Sequence, residues 1–105
     1  MEIEQLAPRA VEAESFLKAM ASRHRLMILC ELHEGELSVT QLQEALGLSQ
    51  SSLSQHLARL RADGLVKTRR VSQTIFYRIE NPNVSRMMQA LYESFCGGEK
   101  KRKGK

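Results

Sequence analysis

Residues 48 to 79 read LSQSSLSQHLARLRADGLVKTRRVSQTIFYRI, and this stretch decides the fold. In its first half Leu53, Leu57 and Leu60 recur at the spacing of a helix that buries one stripe. The opposite face carries Ser51, Ser54, Gln55 and Ala58, with Arg59 towards one flank and no bulky apolar group. Ser, Gln and Arg can hydrogen-bond base edges and phosphates, and the small residues among them let a helix backbone approach the floor of a DNA major groove. A merely solvated helix face is usually rich in Glu and Lys, whereas Glu is absent from residue 45 to residue 79.

Working outward, Asp63-Gly64 closes this reader helix, and Leu65 to Arg70 reads as a strand. After a turn near Val71-Ser72-Gln73, Thr74 to Ile79 supplies a second strand, with Ile75, Tyr77 and Ile79 on one side and Phe76 and Arg78 on the other. Upstream, Ser38 with Gln41 three residues on is a capping-box pattern. It opens a short helix through Val39, Leu42, Ala45 and Leu46 that stops at Gly47, and Ser49 then caps the reader helix. Two short helices joined by a glycine-containing turn form a helix-turn-helix. A basic hairpin directly after it makes a winged helix, a more specific combination than either part.

The flanks supply three more helices. Leu6, Ala10, Ala13, Leu17 and Met20 predict a first helix over about residues 3 to 20, with an acidic outward face. Ser22 caps a second over 23 to 34, with Leu26, Leu29, Cys30 and His33 near one face and Gly35 placed to end it. Asn81-Pro82 opens the last helix, whose apolar face is Val84, Met87, Met88, Leu91, Tyr92 and Phe95, and Gly97-Gly98 should end it. The expected fold is mainly α with a small β-hairpin, a winged helix-turn-helix in the order α-α-α-α-β-β-α. Residues 1–96 are expected to form one domain for DNA binding and dimerisation. Residues 97–105, GGEKKRKGK, have nothing to bury and are expected to be a disordered basic tail. The terminal helices are too apolar for a small shared core, which predicts a homodimer through them, with its two reader helices in successive major grooves about 34 Å apart.

The formal charge of +4 over 105 residues is uneven. Residues 1–48 hold four Lys/Arg against eight Glu, while residues 49–79 hold six against one Asp and residues 97–105 five against one Glu. Positive potential gathered on the reader, the wing and the tail is the footprint of a nucleic-acid binder. A membrane surface would call for bulky apolar residues among the basic ones, and the tail has none. The longest apolar run, LMILC at 26–30, cannot span a bilayer, and MEIEQLAPRA does not resemble a signal peptide, so the expected location is cytoplasmic. Enzymatic activity is not expected. The cysteines are 66 positions apart rather than in C-x-x-C, and no Gly-rich phosphate loop is present.

Across nearly all of residues 10 to 96 the chain resembles the ArsR/SmtB family of winged-helix transcriptional repressors. The segments that carry the likeness are LKAMASRHRLMILCEL (17–32), ELSVTQLQEALGLSQSSLSQHLARLRADGLV (36–66) and QTIFYRI (73–79). The resemblance implies DNA contacts from Gln50, Ser51, Ser54 and Gln55 on the reader, beside Arg59, and from the wing residues Arg70 and Gln73. His56 also belongs to the shared pattern; beside the core stripe, it is expected to pack or orient neighbours.

Many members of the family release DNA on binding a metal, but no metal or other cofactor is expected here. Ser38 and Thr40 stand where the arsenic- and cadmium-sensing members resemble ELCVCDL, so the soft-metal thiolates are missing. Residues 82–96 contain only Glu93 and no His, against the last-helix metal sites, and histidines at 24, 33 and 56 have no ligand spacing. Cys30 and Cys96 are placed as in the dithiol (BigR-, SqrR- and HlyU-like) subgroup. That likeness implies a repressor released from a pseudo-palindromic operator when reactive sulfur species or an oxidant links the two thiols. Two alternatives stay open: an HlyU-like antirepressor or architectural DNA binder, and cysteines that are only buried small side chains.

Overall fold

The computed structural model describes residues 1–103, with side chains through Gly97. Its elements are α1 (Ile3–Leu6), a 3₁₀ turn (Ala7–Arg9), α2 (Ala10–Met20), α3 (Arg23–His33), β1 (Leu37–Ser38), α4 (Val39–Leu46), α5 (Gln50–Ala62), β2 (Val66–Val71), β3 (Thr74–Ile79) and α6 (Pro82–Lys103). The order is that of a winged helix-turn-helix, with two departures from the sequence-based expectation at the start. The expected first helix is split, because Pro8 lacks an N–H and falls in a 3₁₀ turn between α1 and α2. A two-residue strand, β1, precedes α4 and makes the wing part of a three-stranded antiparallel sheet in the order β1-β3-β2.

Local chemistry fixes the helix ends. Ser22 Oγ accepts from Arg25 N at the start of α3. At α4 the capping box is complete: Ser38 Oγ accepts from Gln41 N at 3.1 Å and Gln41 Oε1 accepts from Ser38 N at 2.9 Å. Gly47 ends α4 in the left-handed conformation, φ 69°, which turns the chain into α5 within three residues. Ser49 Oγ accepts from Ser52 N at 3.1 Å to open α5, and Gly64, φ 75°, follows its end.

The core gathers one face from each element: Ala19 and Met20 of α2, Ile28, Leu29 and Leu32 of α3, Leu42 of α4, Leu53, Leu57 and Leu60 of α5, Leu65 and Val66 entering β2, and Val84 and Met88 of α6. Each fully buried Leu contributes on the order of 2 kcal/mol relative to exposure. On α3 the buried face differs from the expected one. Ile28 and Leu32 point inward with Leu29, while Cys30 and His33 are exposed. A run of consecutive apolar residues has no periodicity from which to choose a face.

α6 runs on through Gly97 and Gly98 to Lys103, which corrects the expected stop. Gly97 does not take the left-handed conformation that would end a helix, and the Glu, Lys and Arg residues beyond it are good helix formers. Of the disordered tail expected for residues 97–105, residues 104 and 105 and the side chains from 98 on lie outside the described residues.

Candidate nucleic-acid interface

The three buried leucines of α5 orient the reader helix. With Leu53, Leu57 and Leu60 at most 1% exposed, the rest of the helix is rotated outward, and Gln50, Ser51, Ser54, Gln55, Ala58 and Arg59 are all exposed. No carboxylate stands among Gln50 to Ala62. Arg59 is partly engaged, since its Nε lies 2.7 Å from Asp63 Oδ2 four residues on. Arg61 was not singled out from the sequence, although it belongs to the same cationic segment. It lines a shallow hollow between the reader and the sheet with Ser54, Ala58, Val39 and Tyr77.

His56 is half-buried on the inner flank of α5, against α3. Its Nδ1 is 3.4 Å from Arg25 Nη1, and its ring meets that of His24 edge-on with centroids 5.5 Å apart. Arg25 is itself anchored, donating from Nε to Ala19 O at 2.7 Å. Burial first, then the positive charge of Arg25 and the neighbouring His24, lower the His56 pKa below the ordinary histidine value. His56 therefore joins the reader to its supporting helix and does not face outward with the serines.

The wing presents its residues at a separate place. β2 and β3 pair from Val66↔Ile79 to Val71↔Thr74, so the turn is the two residues Ser72-Gln73. Ser72 has φ 57° and no other non-glycine residue has positive φ among the described residues. A positive φ at the first turn position alone is the II′ pattern, whose twist matches the strands. Arg70 Nε donates to Ser72 O at 3.1 Å, which folds the base of the guanidinium over the turn, and both Arg70 and Gln73 are exposed. Arg69 points to the other face of the ribbon and is bonded to Glu36, whose carboxyl it holds below the usual range.

Cys30 is exposed on α3, Cys96 is half-buried on α6, and both are free thiols. Cys30 lines an apolar groove of about 530 Å³ between the two helices, with Leu26, Met27, Leu91, Tyr92 and Phe95. Although the residue is exposed, the groove partly encloses its thiol, and this partial burial raises the Cys30 pKa most, followed by the charges of Glu31 and Glu34. Among the described residues no group of three His, Cys, Asp or Glu could hold a metal ion, and no helix is long and apolar enough to cross a membrane.

An outward helix of serine and glutamine, seated on a leucine row and flanked by a basic hairpin, defines a winged helix-turn-helix DNA-binding protein. The family model described as "Bacterial regulatory protein, arsR family" matches residues 22–68. The transcriptional activator HlyU of Vibrio cholerae is 47% identical over 96 residues, covering 91% of this chain and 89% of that protein. The structure of the transcriptional repressor BigR from Xylella fastidiosa superposes with a TM-score of 0.88 at 42% identity, covering 91% of this chain and 98% of that one. A homodimeric winged helix-turn-helix DNA-binding domain from Mycobacterium bovis superposes with a TM-score of 0.72 at 32% identity, over 81% of this chain and 79% of that one. The chain belongs to the arsR family of bacterial transcriptional regulators, whose members here are regulators and not enzymes.

Proposed function

We propose that the chain is a homodimeric repressor that holds a pseudo-palindromic operator through Gln50, Ser51, Ser54, Gln55 and Arg59 of each reader and Arg70 and Gln73 of each wing, and lets go when Cys30 and Cys96 are linked. The observation that carries the sensing part is the pair of free thiols on two helices, α3 and α6, that pack against each other. The stripe of Leu6, Ala10, Ala13 and Leu17 lines a shallow apolar groove on the outside of α1 and α2, which supports the dimer.

Linking the thiols needs an oxidant. With a persulfide, Cys30 takes its outer sulfur and releases a thiol; Cys96 then attacks Cys30 Sγ, forms the disulfide and expels the transferred sulfur as hydrogen sulfide. With a hydroperoxide the same two thiols yield the disulfide, an alcohol and water. By either route the bridge pulls α6 against α3, the helix that supports the reader through Arg25 and His56. Both readers must enter successive grooves at once, so a small change in their spacing is enough to release DNA. Cys30→Ser and Cys96→Ser should bind duplex normally and keep it after polysulfide or peroxide treatment. Release from both variants would sink the sensing reading.

A second reading is favoured by one observation: the Vibrio cholerae relative is named an activator. Such a protein can raise transcription by displacing a repressor from shared DNA, with the cysteines incidental. Competition between this chain and a resident repressor on one promoter fragment separates the two readings.

A further inference from the structure

The sheet carries a clip on the face opposite Arg70. Arg69 stands on β2 opposite Phe76 of β3, with its guanidinium carbon 5.2 Å from the ring centroid. From there it reaches across the middle strand to Glu36, just ahead of β1: Nη2 is 2.6 Å from Glu36 Oε1, and Nε is 3.2 Å from each carboxylate oxygen. Arg78 Nη1, on β3, lies 4.0 Å from Glu36 Oε2. One edge strand is thereby tied to the segment leading into the other edge strand, over the top of the strand between them.

The position of this tie along the sheet matters. β1 pairs with β3 only at Leu37↔Tyr77 and Ser38↔Phe76, so the row Ser38, Phe76, Arg69 is the last in which three strands lie side by side. Beyond it, Arg70↔Ile75, Val71↔Thr74 and the turn form a two-stranded ribbon, which twists more freely than a sheet. The clip grips that ribbon at its root, and Ser38, in the gripped row, is also the N-cap of the first helix of the helix-turn-helix.

We infer that Glu36 is a positioning residue for DNA binding: by holding Arg69 across the sheet it fixes the direction of the wing relative to the reader and aims the tip that carries Arg70 and Gln73. The inference rests on the wing's role in the proposed function. A carboxylate near a polyanion would otherwise only weaken binding, so the two roles predict opposite signs for its removal.

The probe is a duplex of about one operator length selected from a random pool by the wild-type chain, together with the same duplex trimmed to the part the readers cover. Glu36→Gln, which leaves a side chain of the same shape on the surface, should bind the full duplex about fivefold more weakly than wild type. It should match or exceed wild type on the trimmed one. In the free protein, backbone amides of residues 70–74 should exchange faster in Glu36→Gln and in Arg69→Met, and the exchange of charges in Glu36→Arg/Arg69→Glu should restore wild-type protection. Tighter binding of Glu36→Gln to the full duplex, or unchanged exchange at the wing, overturns the inference. Failure of the wild type to select any duplex would instead defeat the DNA-binding reading, while the exchange measurement would still decide whether the clip holds the ribbon.

Discussion

Nδ1 of His56 on the reader helix faces Nη1 of Arg25 on α3 at 3.4 Å. A guanidinium can only donate, so Nδ1 is the acceptor and the proton of the neutral ring sits on Nε2. Protonation would replace that hydrogen bond by repulsion from Arg25, with His24 in edge contact.

Stability should therefore depend on pH through His56. Its folded pKa is lowered, so as pH falls below about 6.5 the unfolded chain takes the proton first. The contribution is fully present above that value and is lost as pH falls towards and through the lowered folded value. Thermal unfolding between neutral and mildly acidic pH should show a decline for wild type that is shallower for His56→Gln. Parallel declines would remove His56 as the cause.

Ser72 holds a positive φ that a side chain makes costly. Ser72→Gly should relieve it and stabilise the chain by about 0.5 kcal/mol after the extra chain entropy of glycine is subtracted. The measurement is the denaturation midpoint, and a lower midpoint would mean that the Ser72 side chain contributes something glycine cannot.

Reader and wing substitutions should differ in kind. Ser54→Ala and Gln55→Ala, at exposed positions of α5, should each cost about 1–3 kcal/mol on a specific site and relax the preference for particular bases. Arg70→Ala should weaken specific and non-specific duplexes alike and flatten the logarithmic salt dependence by about 0.9 for each phosphate it no longer neutralises. Titrations at several salt concentrations on both kinds of duplex distinguish the outcomes.

Cys30 reacts as the thiolate, and its pKa is raised by burial and by Glu31 and Glu34. Alkylation by a neutral reagent should be slow at neutral pH and should accelerate past the ordinary thiol range. Glu34→Gln should move that acceleration to lower pH. An unchanged profile in the variant would show that Glu34 does not contribute to the reactivity.

Where a single side chain makes a local bond, the sequence was a reliable guide. Ser22, Ser38 with Gln41, and Ser49 cap the helices expected of them, Gly47 makes the sharp turn, and Leu53, Leu57 and Leu60 seat the reader. Features that depend on partners distant in sequence were not legible. β1 is two residues long and exists only by pairing with Tyr77 and Phe76, and the Glu36–Arg69 bond joins residues 33 positions apart. On α3 the unbroken apolar run concealed which side faces inward. At Gly97-Gly98, composition suggested an end, but a glycine ends a helix only when the backbone turns left-handed there.

On α5, the side chains that hold the helix in place and the side chains that face outward are separate sets. In the proposed function, an exchange of Ser51, Ser54 or Gln55 alters an exposed position and leaves Leu53, Leu57 and Leu60 in place, so the address a copy of this domain reads would be rewritten by point mutations without unseating the helix. Duplicated genes could part ways in their targets by that route alone, one letter at a time.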